Sequence, residues 1–182
     1  MGNIILIGFM GSGKTSVGVQ LARNLGYTFC DTDQLIEKES GRSIRNIFAE
    51  DGEEYFRKLE TSVIKDLYGS LDRSVLSVGG GLPIREGNAE LLKRLGQVIY
   101  LKATKETILK RLKGDTTRPL LAGENAAQKV EDLLKFREPV YESAAHHNVI
   151  TDGRSFQEIM KEICEKCEEK PSSHLEELQN EI

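Results

Sequence analysis

One segment constrains this chain more than any other: Gly8-Phe9-Met10-Gly11-Ser12-Gly13-Lys14-Thr15, placed between an apolar run, Asn3 to Ile7, and a helix-period stretch that begins at Thr15. It satisfies G-x-x-x-x-G-K-[ST] in the context that gives the pattern a mechanism, a strand feeding a helix through a glycine-rich turn. Glycines let successive backbone N–H groups turn inward around phosphate oxygens, and the helix N-terminus adds the favourable end of its dipole. Gly11, Ser12, Gly13, Lys14, Thr15 and Ser16 are therefore expected to hold a nucleotide. Lys14 supplies a point charge to the β- and γ-phosphates, and the Thr15 hydroxyl is a ligand for Mg²⁺. A turn that merely connects strand to helix would not need both the pattern and its context.

Apolar runs resembling the first recur at Tyr27 to Cys30, Ser74 to Val78, Val98 to Leu101 and Asn148 to Thr151. Between them lie helix-period segments, Thr15 to Leu25, Glu53 to Leu71, Asn88 to Leu95 and Thr104 to Lys113, and Ser155 with Glu158 offers a capping box for a last helix. Buried strands each followed by a helix predict an α/β fold, a five-stranded parallel sheet with helices on both faces. Ligands of such sheets bind beyond the carboxyl ends of the strands. A short helical pattern with Ile44, Ile47 and Phe48 reads as a side lobe, and Gly114 to Asn125 as a lid-length polar loop. From Pro171 the chain is a polar tail.

A length of 182 residues fits one domain, since domains commonly run to roughly 100–200 residues. With 25 basic and 29 acidic residues the formal charge is −4, which provides no global positive field for nucleic acid. No apolar run reaches membrane-spanning length, and no basic n-region or cleavage site precedes the first strand, so the expected compartment is the cytoplasm. Three cysteines cannot all pair. Cys164 and Cys167 fall on a helical stripe with Ile159, Met160 and Ile163, which favours core packing over a metal or redox pair.

A nucleotide cradle alone does not separate a switch from a kinase or a motor. No N-K-x-D base-reading segment occurs, which argues against a guanine-nucleotide switch. The third strand runs into Gly79-Gly80-Gly81 where a metal-supporting aspartate is usual, whereas the second ends in Cys30-Asp31-Thr32-Asp33. In an extended segment Asp31 and Asp33 point the same way, one able to support the Mg²⁺ shell, the other to orient or accept the proton of an attacking hydroxyl. Two aspartates capping the next helix are the plainer alternative. Arg57 with Glu60 at i+3, Arg118 and Arg137 are on their spacing no more than solvated charges.

Taken in order, Gly8 to Thr15, Asp31-Thr32-Asp33, Arg57-Lys58-Leu59-Glu60, Gly79 to Gly81, Thr117-Arg118-Pro119-Leu120-Leu121 and Arg137-Glu138-Pro139-Val140-Tyr141 resemble the shikimate kinase family across Asn3 to Cys167. The resemblance implies a three-layer fold like that of nucleoside monophosphate kinases, a single domain over residues 1–170 with a substrate lobe at about 33–60 and a lid at about 112–125, and a tail at 171–182. It implies ATP and Mg²⁺ as cofactors and shikimate as the acceptor, phosphorylated on its 3-hydroxyl in the route to chorismate and aromatic amino acids, by an enzyme that is commonly a monomer. By the same resemblance Asp31 supports the metal and Asp33 holds substrate hydroxyls as the expected base, with Lys14 and Arg118 completing the catalytic set. Arg57 and Arg137 grip the carboxylate, Glu60 fixes Arg57, Gly79, Gly80 and Gly81 line the pocket, Arg118 covers the phosphates, and Arg111 and Arg154 lie near the adenine. Two alternatives stay open: another small-molecule kinase, for gluconate or a nucleoside monophosphate, and a nucleotide-binding scaffold without turnover.

Overall fold

A computed structural model of the chain describes residues 2–113 and 126–168. Its centre is the strand Ile4–Ile7 (β1), whose four residues are all fully buried because the strand has covered faces on both sides. The period of two sorts them. Ile5 and Ile7 enter one core and Ile4 and Leu6 the other. The remaining strands are Thr28–Asp31 (β2), Ser74–Ser77 (β3), Gln97–Lys102 (β4) and His147–Ile150 (β5), and the sheet runs β2-β3-β1-β4-β5 with every pairing parallel. The five strands stand where the apolar runs place them, with ends moved by a residue or two.

The described residues also form eight α-helices: Lys14–Leu25 (α1), Thr32–Ser40 (α2), Ile44–Glu50 (α3), Gly52–Asp66 (α4), Asn88–Leu95 (α5), Lys105–Leu112 (α6), Ala126–Ala144 (α7) and Phe156–Glu168 (α8). Val17 and Leu21 of α1 and Ile159 and Ile163 of α8 cover one face of the sheet. Cys164 and Cys167 pack beside them, as the stripe predicts. Leu92 and Leu95 of α5, Ile108 of α6, and Val130, Tyr141 and Ala144 of α7 cover the other. A third, separate cluster of Ile36, Ile47, Phe56 and Val63 welds α2, α3 and α4 into the side lobe.

Three expectations need correction. The chain is not extended through Asp33: β2 stops at Asp31 and α2 begins at Thr32, because the Asp31 carboxylate caps the helix by accepting from the Asp33 and Gln34 amides. The fourth helix ends at Asp66, short of Leu71. Helix α7 has no counterpart among the predicted segments, because Pro139 lies inside it and removes an amide donor, which breaks the sequence signature of a helix. Of the expected lid only Leu112 and Lys113 are described, and Arg118, residues 114–125 and the tail lie outside the described residues.

The topology makes β2, β3 and β1 neighbours, so their carboxyl ends share one edge. Thr32, fully buried, ties two of them together by accepting the Gly79 amide on its Oγ1 at 3.0 Å. Thr32→Val keeps the shape and deletes the acceptor. Leaving a part-buried N–H unmet should cost about 1–3 kcal/mol; urea unfolding of the variant is expected to show a lower midpoint with an unchanged slope, and an unchanged midpoint would refute the tie.

Candidate active site

The loop after β1 is built by backbone geometry. Gly11 and Gly13 hold φ of 77° and 102°, the left-handed region that a side chain disfavours. Gly13 is the N-cap of α1 and offers no side-chain acceptor, so the first-turn amides of α1 are left to an anion. Lys14 Nζ donates to Gly8 O and Phe9 O at 2.9 and 3.0 Å, which folds the ammonium back over its own loop. Ser16 follows in the same exposed first turn.

Beside it, Thr15 Oγ1 donates to Asp31 Oδ2 across 3.4 Å, a long bond between two oxygens of the kind a hard cation accepts. Asp31 is a helix cap, the plainer of the two alternatives, and still turns one oxygen toward the loop. Its Oδ1 caps α2 and its Oδ2 faces the phosphate loop. Asp33, in the first turn of α2, reaches the same edge from a helix and not from an extended strand.

Gly79, Gly80 and Gly81 follow the end of β3, and a side chain at the first or the third would displace its neighbours. A Cβ on Gly79 would stand 2.6 Å from Glu60 Oε1 and 2.9 Å from Asp33 Oδ1, and one on Gly81 would overlap the Arg57 guanidinium. One on Gly80 would lie 3.4 Å from Gly8 O, so the glycine run abuts the phosphate loop itself. Glu60, 1% exposed, accepts from Arg57 at 2.7 Å, and the other edge of Arg57 meets the exposed Glu53 at 2.8 Å. Arg137, 9% exposed on α7, stacks over the ring of Phe9 at 5.7 Å and hydrogen-bonds Tyr141. Tyr141 in turn donates its hydroxyl to Gly80 O. Among the described residues no carboxylate forms an ion pair with Arg137, although buried guanidinium groups normally have one.

Several of these links escaped sequence reasoning. Thr32 to Gly79 and Phe9 to Arg137 join residues far apart in sequence and carry no local signature. Tyr141 was within reach: it follows Arg137 by four residues, one turn along the same helix face. Arg111 and Arg154, expected near the adenine, have protein partners. Arg111 donates to Gly11 O, Ser12 O and Thr151, and Arg154 to Ile150 O, Glu158 O and the carboxylate of Glu162.

A parallel sheet covered on both faces, with a phosphate loop at its central strand and Arg57 beside the glycines of the neighbouring strand end, is the arrangement of a P-loop kinase. A sequence model of the family described as "Shikimate kinase" matches residues 10–168. The chain is 44% identical over 170 residues to the shikimate kinase of Symbiobacterium thermophilum, covering 92% of this chain and 97% of that one. It is 42% identical over 168 residues to that of Thermodesulfovibrio yellowstonii, covering 92% and 96%. The solved shikimate kinase from Acinetobacter baumannii in complex with shikimate superposes with a TM-score of 0.85 at 42% identity, over 91% of this chain and 92% of that one. A gluconokinase from Sinorhizobium meliloti, at 16% identity and a TM-score of 0.56, shares the fold alone. This chain belongs to the shikimate kinase family.

Burial pushes the Glu60 carboxyl up to about 7 against the pull of Arg57, and the negative charge of Asp33 adds to the rise. With a folded value above the ordinary 4.5, the stability this group contributes is fully present below 4.5 and is lost as pH rises through about 7. Between about pH 5 and about pH 8 the urea midpoint of the parent is therefore expected to fall relative to that of Glu60→Gln, which cannot ionise there. Parallel pH profiles for the two proteins would place the ionisation of Glu60 elsewhere.

Proposed function

We propose that this chain transfers the γ-phosphoryl group of ATP to the 3-hydroxyl of shikimate, giving shikimate 3-phosphate and ADP. The observation that carries this is Arg137, a buried guanidinium with no carboxylate in an ion pair among the described residues, set against the phosphate loop through Phe9. An acceptor carboxylate supplies the missing anion. Arg57, held by Glu60, is the second donor, and two guanidinium groups can bind a carboxylate with charge-assisted bonds. The short path from this grip to the loop sets the length of acceptor that can present a hydroxyl to the phosphate.

Asp33 stands next to Gly79 on the same edge, where it can orient the acceptor hydroxyl and take its proton. Lys14 and the first-turn amides of α1 receive the phosphate chain. The donor set Thr15 Oγ1 and Asp31 Oδ2 fits Mg²⁺, being all oxygen and lying at the mouth of the cradle. When bound there, the ion would neutralise charge on the phosphates. Arg118, outside the described residues, is assigned on the family resemblance to cover the transferring group and keep water from it. The same resemblance supports a cytoplasmic monomer with one catalytic domain over residues 1–170 that carries the lobe and the lid. Among the described residues no helix is long and apolar enough to cross a membrane.

An acceptor panel read by coupled ADP release tests the assignment. Shikimate is expected to be strongly preferred over its carboxamide, over gluconate and over a nucleoside monophosphate. Equal turnover with gluconate would overturn it, and nucleotide binding without acceptor-dependent ADP would make the chain a scaffold.

The two aspartates should fail differently. In single-turnover transfer at saturating ATP, acceptor and Mg²⁺, Asp33→Asn is expected to be slower by roughly 10²-fold, the lower end for a general base, because a loose transition state needs the proton removed late. Asp31→Asn should show a defect that extra Mg²⁺ partly restores. Near-parent transfer by Asp33→Asn, or Mg²⁺ rescue of Asp33→Asn and not of Asp31→Asn, would reverse the two roles.

A further inference from the structure

Asn88, the first residue of α5, is 1% exposed, and its side-chain amide joins two elements beside the acceptor groups. Its Nδ2 donates to Leu82 O at 2.9 Å. Its Oδ1 accepts from Thr61 Oγ1 at 3.1 Å, and Thr61 Oγ1 lies at the same distance from Arg57 O, one turn earlier in α4. Leu82 O can only accept, so the NH₂ faces it and the amide has one orientation. A buried amide met at both ends is costly to displace, because its partners are then left unmet as well.

Leu82–Ile84 is a single 3₁₀ turn directly after the glycine run, tied back to it by Leu82 N on Gly79 O at 3.0 Å and Ile84 N on Gly81 O at 3.1 Å. On one side of the turn lies α4, whose Arg57 guanidinium stands against Gly81. On the other lies α7: Leu82, fully buried, shares a core cluster with Val130 and Tyr141 of that helix, and Tyr141 is one turn from Arg137. The turn is therefore a wedge between the helices that carry the two arginines. Apolar packing is non-directional and would let the wedge slide along α4, whereas hydrogen bonds fix its register. We propose that Asn88 is a positioning residue for the acceptor: it bolts the wedge to the Arg57 turn of α4 and so sets the separation of Arg57 and Arg137 that one carboxylate must match. This rests on the carboxylate grip proposed above.

Thr61→Val removes the hydroxyl and Thr61→Ser keeps it. By calorimetric titration, Asn88→Ala and Thr61→Val are expected to raise the dissociation constant of shikimate roughly tenfold, with Thr61→Ser within about twofold of the parent. ATP affinity should stay at the parent value in all three, which a generally damaged fold would not allow. Combining Asn88→Ala with Arg137→Met tests the route. If Asn88 acts by spacing the arginines, the losses in kcat/KM for shikimate overlap, and the double variant falls well short of the product of the single ones. Losses that simply multiply, ATP weakened as much as shikimate, or parent-like shikimate affinity in Asn88→Ala and Thr61→Val would each overturn the proposal. If Asn88→Ala does not fold, Thr61→Val takes its place in the combination with Arg137→Met, and the same outcomes decide. A parent protein that binds ATP but not shikimate would refute the acceptor reading itself, and the proposal with it.

Discussion

Three consecutive residues without side chains, at the end of the strand beside the centre of the sheet, are what the acceptor half of this site depends on. None of Gly79, Gly80 and Gly81 has a positive φ, so their role is space and not backbone freedom. The space is taken by charged groups: Glu60 and Asp33 at Gly79, and the guanidinium of Arg57 at Gly81. A methyl group at either place would push a carboxylate or a guanidinium off the sheet edge, and these charged groups would lose their common floor. Gly80 brings the same backbone against Gly8, which is why the acceptor pocket and the phosphate loop share a wall.

Burying charge to make that pocket is unfavourable, and the arrangement shows how the penalty is limited. Glu60 is almost wholly removed from water and is compensated by Arg57 at 2.7 Å, yet its carboxyl still titrates near 7, so desolvation outweighs the pairing. Arg137 is treated differently: its neighbours are an aromatic face and a phenol. A buried ion pair gains little over apolar packing, whereas a buried charge that lacks its partner is costly. Among the described residues Arg137 has no ion pair, and the charge of Glu60 acts on it from further off.

How much of this was legible beforehand divides along a physical line. The phosphate loop, the five strands and the two-sided sheet were readable because each is a local pattern: glycine spacing, apolar runs, helical period. The acceptor residues are named only by family resemblance, since Arg57 with Glu60 at i+3 is indistinguishable in sequence from a surface pair; the structure shows Glu60 buried under that pair. Asp31 and Asp33 were placed at the right edge by the wrong conformation. Nothing in Asp31-Thr32-Asp33 separates a strand end from a helix cap, and the amides that Asp31 accepts decided it. Helix α7 was hidden by Pro139, although it delivers both Arg137 and Tyr141.

The two halves of the site are also joined physically, which bears on how they communicate. Phe9 belongs to the phosphate loop, and its ring is the platform under Arg137. Tyr141, hydrogen-bonded to Arg137, reaches Gly80, whose backbone abuts Gly8. On the function proposed, an acceptor held by Arg137 would restrain a ring whose own backbone carbonyl holds Lys14 at 3.0 Å. Any change this makes in nucleotide affinity must be returned in equal measure, nucleotide altering acceptor affinity by the same factor, because binding free energies are reciprocal. Each contact from Arg137 through Phe9 to Lys14 is direct, so coupling here needs no movement of the sheet. The sheet's contribution is to keep the ends of β3 and β1 side by side.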